Sequence, residues 1–118
     1  GRGQTLALLH NEAGTNGVRV DFNIKELPCF TLWKNEQPVC DGYVTGLEPG
    51  VNFPNRRSFE KAKGRVVTLQ PGEARRFTVE ITALVTSDAV STAREEILRL
   101  QTQAPPEVLR QPCLDWSP

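Results

Sequence analysis

The hydrophobic period of this chain changes once, and that change limits what it can fold into. Val18, Val20, Phe22 and Ile24 alternate with Arg19, Asp21, Asn23 and Lys25. Phe77, Val79, Ile81, Ala83 and Val85 alternate in the same way with Arg76, Thr78, Glu80, Thr82 and Leu84. A period of two sends successive side chains to opposite faces of a strand. After Val85, the apolar residues Val90, Ala93, Ile97 and Leu100 recur at helical spacing, behind Ser87 and Asp88, either of which suits a helix N-cap. Pro105 and Pro106 stop that helix, because proline removes a helical donor and crowds the preceding turn. The pattern predicts an all-β, mainly antiparallel chain with strands over 18–25, 28–34, 40–47, 65–69 and 75–85. One C-terminal helix follows over 89–103.

The segments between these runs are read from their breakers. Thr5–His10 is a short apolar run that reaches His10 in a strand, and the Gly- and Asn-rich stretch from Asn11 to Gly17 reads as a turn. Pro28 opens the run Cys29–Trp33, apolar on both faces and so suited to an interior strand. Asn35–Pro38 reads as a turn, and Val39–Leu47 as a strand interrupted by Gly42 and Gly46. From Glu48 to Gly64 there is no usable period, and Pro49, Gly50 and Pro54 predict a long loop. Loops of that length inside a domain are commonly functional. Gln70-Pro71-Gly72-Glu73 is a turn signal, and 104–118 is expected to be an irregular tail.

At 118 residues the chain makes one domain at most. Its 14 Lys and Arg balance 14 Asp and Glu, which argues against a nucleic-acid or membrane-surface partner, since both require a concentrated positive field. No apolar run approaches the roughly 20 residues of a spanning helix. Gly1-Arg2-Gly3-Gln4 lacks the pattern of a signal peptide. A soluble, cytoplasmic protein is expected. The absence of methionine leads us to expect a segment of a longer protein, one that pairs its strand edges with a missing portion or with another chain. Cys29, Cys40 and Cys113 are an odd count without ligand or framework spacing, so free, mostly buried thiols are expected. A Cys29–Cys40 bond across a hairpin centred on Lys34 and Asn35 would need an oxidising compartment.

Little in the chain can carry catalysis. The single histidine, His10, has no serine nucleophile elbow to serve, and no residue set has metal-ligand spacing. The basic run Arg56, Arg57, Lys61, Lys63, Arg65 would attract a phosphorylated substrate, although such runs ordinarily form solvated surface and Glu60 dilutes this one. The informative stretch runs from Gly42 to Asn55. Counting by twos, Glu48 shares a face with Gly46, Val44 and Gly42, so a carboxylate borders side-chain-free positions where a ligand can approach. Asn52 and Asn55 add amides, and Tyr43 and Phe53 add flat apolar surface; the mixture suits a sugar. By spacing alone, the plainer account is a bulge at Gly46 and a solvated glutamate at a strand end.

Leu47-Glu48-Pro49, then Asn52-Phe53-Pro54-Asn55, then Leu69-Gln70-Pro71-Gly72-Glu73 and the strand with Val79-Glu80-Ile81 resemble the C-terminal part of galactose mutarotase (aldose 1-epimerase) proteins. The similarity spans roughly Val18 to Leu100 and is greatest to a less characterised branch. The resemblance implies part of a β-supersandwich with a sugar in an open cleft. It assigns Glu48 as the general base on the anomeric hydroxyl, with no cofactor, and Asn52, Phe53, Asn55 and Tyr43, from their residue types, are expected to contact the substrate. The acid histidine would come from an earlier part of the protein, since His10 matches no site position and reads as structural. Asn55 stands where the family commonly has aspartate, which leaves the sugar open. The competing class is a non-catalytic carbohydrate-binding or structural β-sandwich module, because fold alone does not decide chemistry.

Overall fold

The structure, a computed structural model, describes residues 3–117. Its contacts divide the chain into two units. One runs up to Ile24 and resumes over Thr78–Gln111; the other comprises Lys25–Phe77 with the tail from Pro112.

In the first unit, β1 (Gln4–His10), β2 (Gly17–Asn23) and β5 (Val79–Leu84) form an antiparallel sheet in the order β1-β2-β5. Directly paired residues share a face, and the register pairs Leu8 with Arg19 and Arg19 with Thr82. The face with Leu8, Arg19, Asp21 and Leu84 receives the helix α2 (Ser87–Gln103), through a cluster of Leu84, Val90 and Ala93 with Leu8 and Ala89. Arg19 ties sheet to helix: it donates to both Asp21 oxygens at 2.6 Å and to Glu96 Oε2 at 2.7 Å. Those carboxylates, Asp21 first, raise the guanidinium pKa further. The helix lies where its period placed it, but its cap is Thr86, whose hydroxyl accepts from Ala89 N at 3.2 Å; Ser87 and Asp88 are inside the first turn.

The opposite face carries Leu9, Val18, Val20, Phe22, Val79, Ile81 and Ala83. Val20 and Phe22 are buried, whereas Ile81 is 72% exposed and Val79 43%. The alternation at 77–85 therefore identifies a strand but not its buried side. Leu84, from the other half of the pattern, reaches the core because α2 covers that face. The strand is also shorter than 75–85, since β5 begins at Val79, where its pairing with Phe22 begins.

In the second unit, β3 (Cys29–Lys34) and β4 (Thr45–Gly50) form a two-stranded antiparallel ribbon. β3 is not an interior strand: Leu32 and Trp33 are about half exposed while Cys29 is buried. The strand expected at 40–47 is displaced toward the C-terminus. Val39–Asp41 forms a 3₁₀ turn after Pro38, and Gly42 takes φ +87°, a left-handed conformation that glycine adopts without strain. Asn35 then braces the connection by donating from its amide nitrogen to Gly42 O at 3.2 Å. Pro49 sits within β4 opposite Phe30, which a ribbon tolerates because one edge of each strand makes no ladder bonds.

The expected loop over 48–64 contains the end of β4 and a short helix, α1 (Arg57–Ala62). Gly64, at φ +72°, ends that helix, and Arg65 N returns to Glu60 O at 2.9 Å, the usual way a left-handed residue satisfies final carbonyls. The strand expected at 65–69 does not form. Its β-branched residues pair with no strand among the described residues, and a strand without a partner leaves its ladder groups unsatisfied. All three cysteines are free, but only Cys29 is buried; Cys40 is exposed. Burial pushes the Cys29 thiol pKa up. Beyond Gln103 the tail has only turns and bends as far as Ser117. Among the described residues, no helix is long and apolar enough to cross a membrane.

Candidate functional site

Glu48 lies inside β4, paired with Thr31, while Trp33 stands opposite Gly46 and Cys29 opposite Gly50. Paired residues and every second residue share a face, so Glu48, Gly46, Thr31 and Trp33 form one surface. Glu48 is exposed and Trp33 is 49% exposed. The carboxyl group folds back over the bare glycine: a Cβ at Gly46 would lie 3.1 Å from Glu48 Cδ and closer still to Oε1. There is thus no bulge at Gly46, which keeps its place in the ladder. A carboxyl group from Glu48, a hydroxyl from Thr31 and a flat indole share a surface whose centre has no side chain. Sugars bind to such surfaces through hydroxyl–carboxylate hydrogen bonds and through C–H groups laid on an aromatic face.

Trp33 was not among the residues singled out from sequence. Its relation to Glu48 depends on the register, which the ten residues between β3 and β4 set, and no local pattern reports it. Tyr43 lies in that connection and is exposed. The hydrogen bonds there join Asn35 to Gly42 and Val44, not to the segment after β4.

Asn52, Phe53 and Asn55 come together directly after β4, with Phe53 and Asn55 bonded to Glu60 and Asn52 to Phe53. Glu60 is fully buried (0% exposed) and both its oxygens are occupied. Oε1 accepts from Asn55 Nδ2 and an Arg65 terminal nitrogen, each at 2.8 Å; Oε2 accepts from Arg65 Nε at 2.6 Å and Phe53 N at 3.2 Å. Arg65 chiefly, against the cost of burial, holds the Glu60 carboxyl down to a pKa of about 2. Such a group stays ionised and has no lone pair positioned for a substrate proton, so it anchors the loop and is not a second base.

The same anchoring engages the neighbouring side chains. Asn55 Nδ2 also donates to Trp116 O at 2.7 Å, and Asn52 Nδ2 donates to Phe53 O at 2.7 Å. The Phe53 ring lies 6.1 Å from Trp116 and 5.3 Å from the Arg65 guanidinium carbon. Lys63 pairs with Asp115, whose carboxyl pKa it lowers. The tail is thereby bound to the loop. Asn52, Asn55, Arg57 and Glu60 line, with Val51, Val66 and Val67, a recess of about 320 Å³. His10, in the first unit, ends β1, with Nδ1 2.7 Å from Asn11 O.

Three comparisons bear on this arrangement. A family model described as a domain of unknown function (DUF4432) matches residues 1–83, a span containing both the β3–β4 ribbon and the Glu60 loop. No curated protein matches the chain. A solved structure, from Klebsiella pneumoniae subsp. pneumoniae MGH 78578 and named a "putative aldose 1-epimerase", is 39% identical with a TM-score of 0.79. The match covers 84% of this chain and 26% of that one, so the chain spans about a quarter of its length. The antiparallel β class with one main helix, and the similarity to aldose 1-epimerase-like proteins expected from the Leu47-Glu48-Pro49 element, are both borne out.

Proposed function

We propose, from the premise that this chain belongs to the DUF4432 family, that it supplies the base half of an aldose 1-epimerase-like site acting on a cyclic aldose in the cytoplasm. Glu48 removes the proton from the anomeric hydroxyl. As the O1–H electrons form the carbonyl, the C1–O5 bond breaks and O5 takes a proton from an acid supplied by another part of the protein. Rotation about C1–C2 and closure on the opposite carbonyl face return the other anomer, with both proton transfers reversed. The two groups need opposite protonation states on either side of the acetal. On this reading the chain by itself does not turn over sugar.

The observation that carries the reading is the surface around Gly46, where an exposed carboxylate and a half-exposed indole flank a position with no side chain. The similarity to the Klebsiella protein supports it. Glu48→Gln in the intact protein keeps the shape and removes the proton acceptor. Anomer exchange, followed by polarimetry or NMR exchange spectroscopy, should fall by about 10² to 10⁴, with an unchanged melting curve. Full activity in that folded variant removes Glu48 from the mechanism. Wild-type protein that binds an aldose on Trp33, read as a fluorescence change, but never interconverts its anomers favours the binding-module alternative.

A further inference from the structure

The chain is neutral overall, but its charge is unevenly placed. Seven of its 14 basic residues fall between Arg56 and Arg76, against two carboxylates, Glu60 and Glu73. Glu60 is buried on Arg65 and offsets its charge, Asp115 pairs with Lys63, and Glu73, which accepts from Gln70 N at 2.8 Å, is exposed. Even with these three carboxylates counted, the segment keeps an excess of positive charge.

Within this region Lys25, Arg65 and Arg75, with Thr68, wall a recess of about 380 Å³ bounded by Pro28 and Val51. Among the described residues, no Asp or Glu lines it. Arg65 is held rigidly, since Nε and one terminal nitrogen bind Glu60 and the guanidinium carbon lies 5.3 Å from the Phe53 ring centre and 5.8 Å from that of Phe59. A donor already held in place loses little side-chain entropy when it meets an anion. Arg75 is exposed over the Phe77 ring, at 5.2 Å. Pro28 and Val51 flank the Cys29–Gly50 end of the ribbon. Gly50, opposite Cys29 at that end, shares a face with Glu48 two residues away, roughly 7 Å along the strand, a span that a hexose with a phosphate ester can bridge.

We propose that this recess takes the phosphate of a sugar phosphate whose anomeric end lies at Glu48, so that the substrate is a phosphorylated aldose. The proposal rests on the reading of Glu48 given above, and it adds the charged end of the substrate. Guanidinium and ammonium groups bind phosphate through charge-assisted hydrogen bonds, and in a recess without a competing carboxylate these favour the charged sugar over its neutral parent.

Calorimetric titration of the intact protein with glucose 6-phosphate, glucose and inorganic phosphate tests this. Glucose 6-phosphate should bind about tenfold or more tightly than either other probe, with an advantage that shrinks as salt is raised. Arg75→Ala should bring its affinity down toward that of glucose, and Arg75→Lys should restore part of the loss; circular dichroism checks folding. Equal affinities for the phosphorylated and neutral sugars, or binding of glucose 6-phosphate indifferent to Arg75 and Lys25, overturns the recess and leaves Glu48 untouched. Inorganic phosphate binding as tightly as the sugar phosphate overturns the substrate assignment. An Arg75-dependent preference in a protein whose Glu48→Gln variant stays fully active overturns the base assignment and not the recess.

Discussion

Glu48 owes its place to a neighbour with no side chain. Its carboxyl group occupies the volume that a Cβ on Gly46 would claim, and Gly46 has no left-handed backbone to preserve. Gly46→Ala should therefore fold, because the conflicting atoms are the far end of a flexible side chain. It should nevertheless displace the carboxylate. A shift of about 1 Å in a catalytic group can cost on the order of 10²-fold, and the variant's anomer-exchange rate should fall accordingly with kcat reduced more than KM is raised. An alanine variant as active as wild type would show that Glu48 works from another position, or not at all. Glu60 illustrates the opposite case, a carboxylate with four donors and no freedom. The sequence presents the two as similar exposed acids, and the difference is made by Asn55 and Arg65 closing around one of them.

Among the elements, the 51–65 loop and the tail behave as a single fastened piece. Glu60 is held near a pKa of about 2 by Arg65, and Asp115 is lowered by Lys63. Both groups are more acidic folded than unfolded, where glutamate titrates near about 4.3. Their contribution is complete above that value, shrinks as the unfolded chain takes up protons first, and is gone once pH falls below the folded pKa. Trp116 fluorescence in a Trp33→Phe background should report release of the tail as pH falls from about 4.3 toward 2. The change should move to higher pH in Glu60→Asp, whose shorter carboxylate loses part of the Arg65 fork. A Trp116 signal constant down to pH 2 would contradict the fastening.

For the whole molecule, the face of the β1-β2-β5 sheet opposite α2 is the informative surface. Leu9, Val18, Val79 and Ile81 stand exposed on it around the buried Val20 and Phe22, and exposed apolar residues gathered on one sheet face mark an interaction surface. We propose that it packs against the remainder of an aldose 1-epimerase-like sandwich, of which the chain corresponds to about a quarter by its match to the Klebsiella structure. The isolated chain should then bind an apolar dye and self-associate, as read by sedimentation. Ile81→Lys should weaken both effects without altering the circular dichroism spectrum. A monodisperse, dye-silent wild type would argue that the face needs no cover.

Local periodicity determined much of the chain. The strand at Val18, the helix from Val90 to Leu100 and the sharing of a face by Gly46 and Glu48 follow from spacings of two and 3.6 residues, which backbone geometry imposes regardless of context. Tertiary structure decided the rest. Which side of β5 is buried was set by where α2 packs, and so Leu84 displaced Ile81 from the core. The strand at 65–69 was lost for want of a partner. Trp33 joined Glu48 only through the register of a ten-residue connection, and Glu60 left the surface only because Arg65, five residues on, folded back to meet it. Periodicity reports how a segment is shaped along its own axis; pairing and burial depend on atoms distant in the chain, and the sequence around a residue does not encode them.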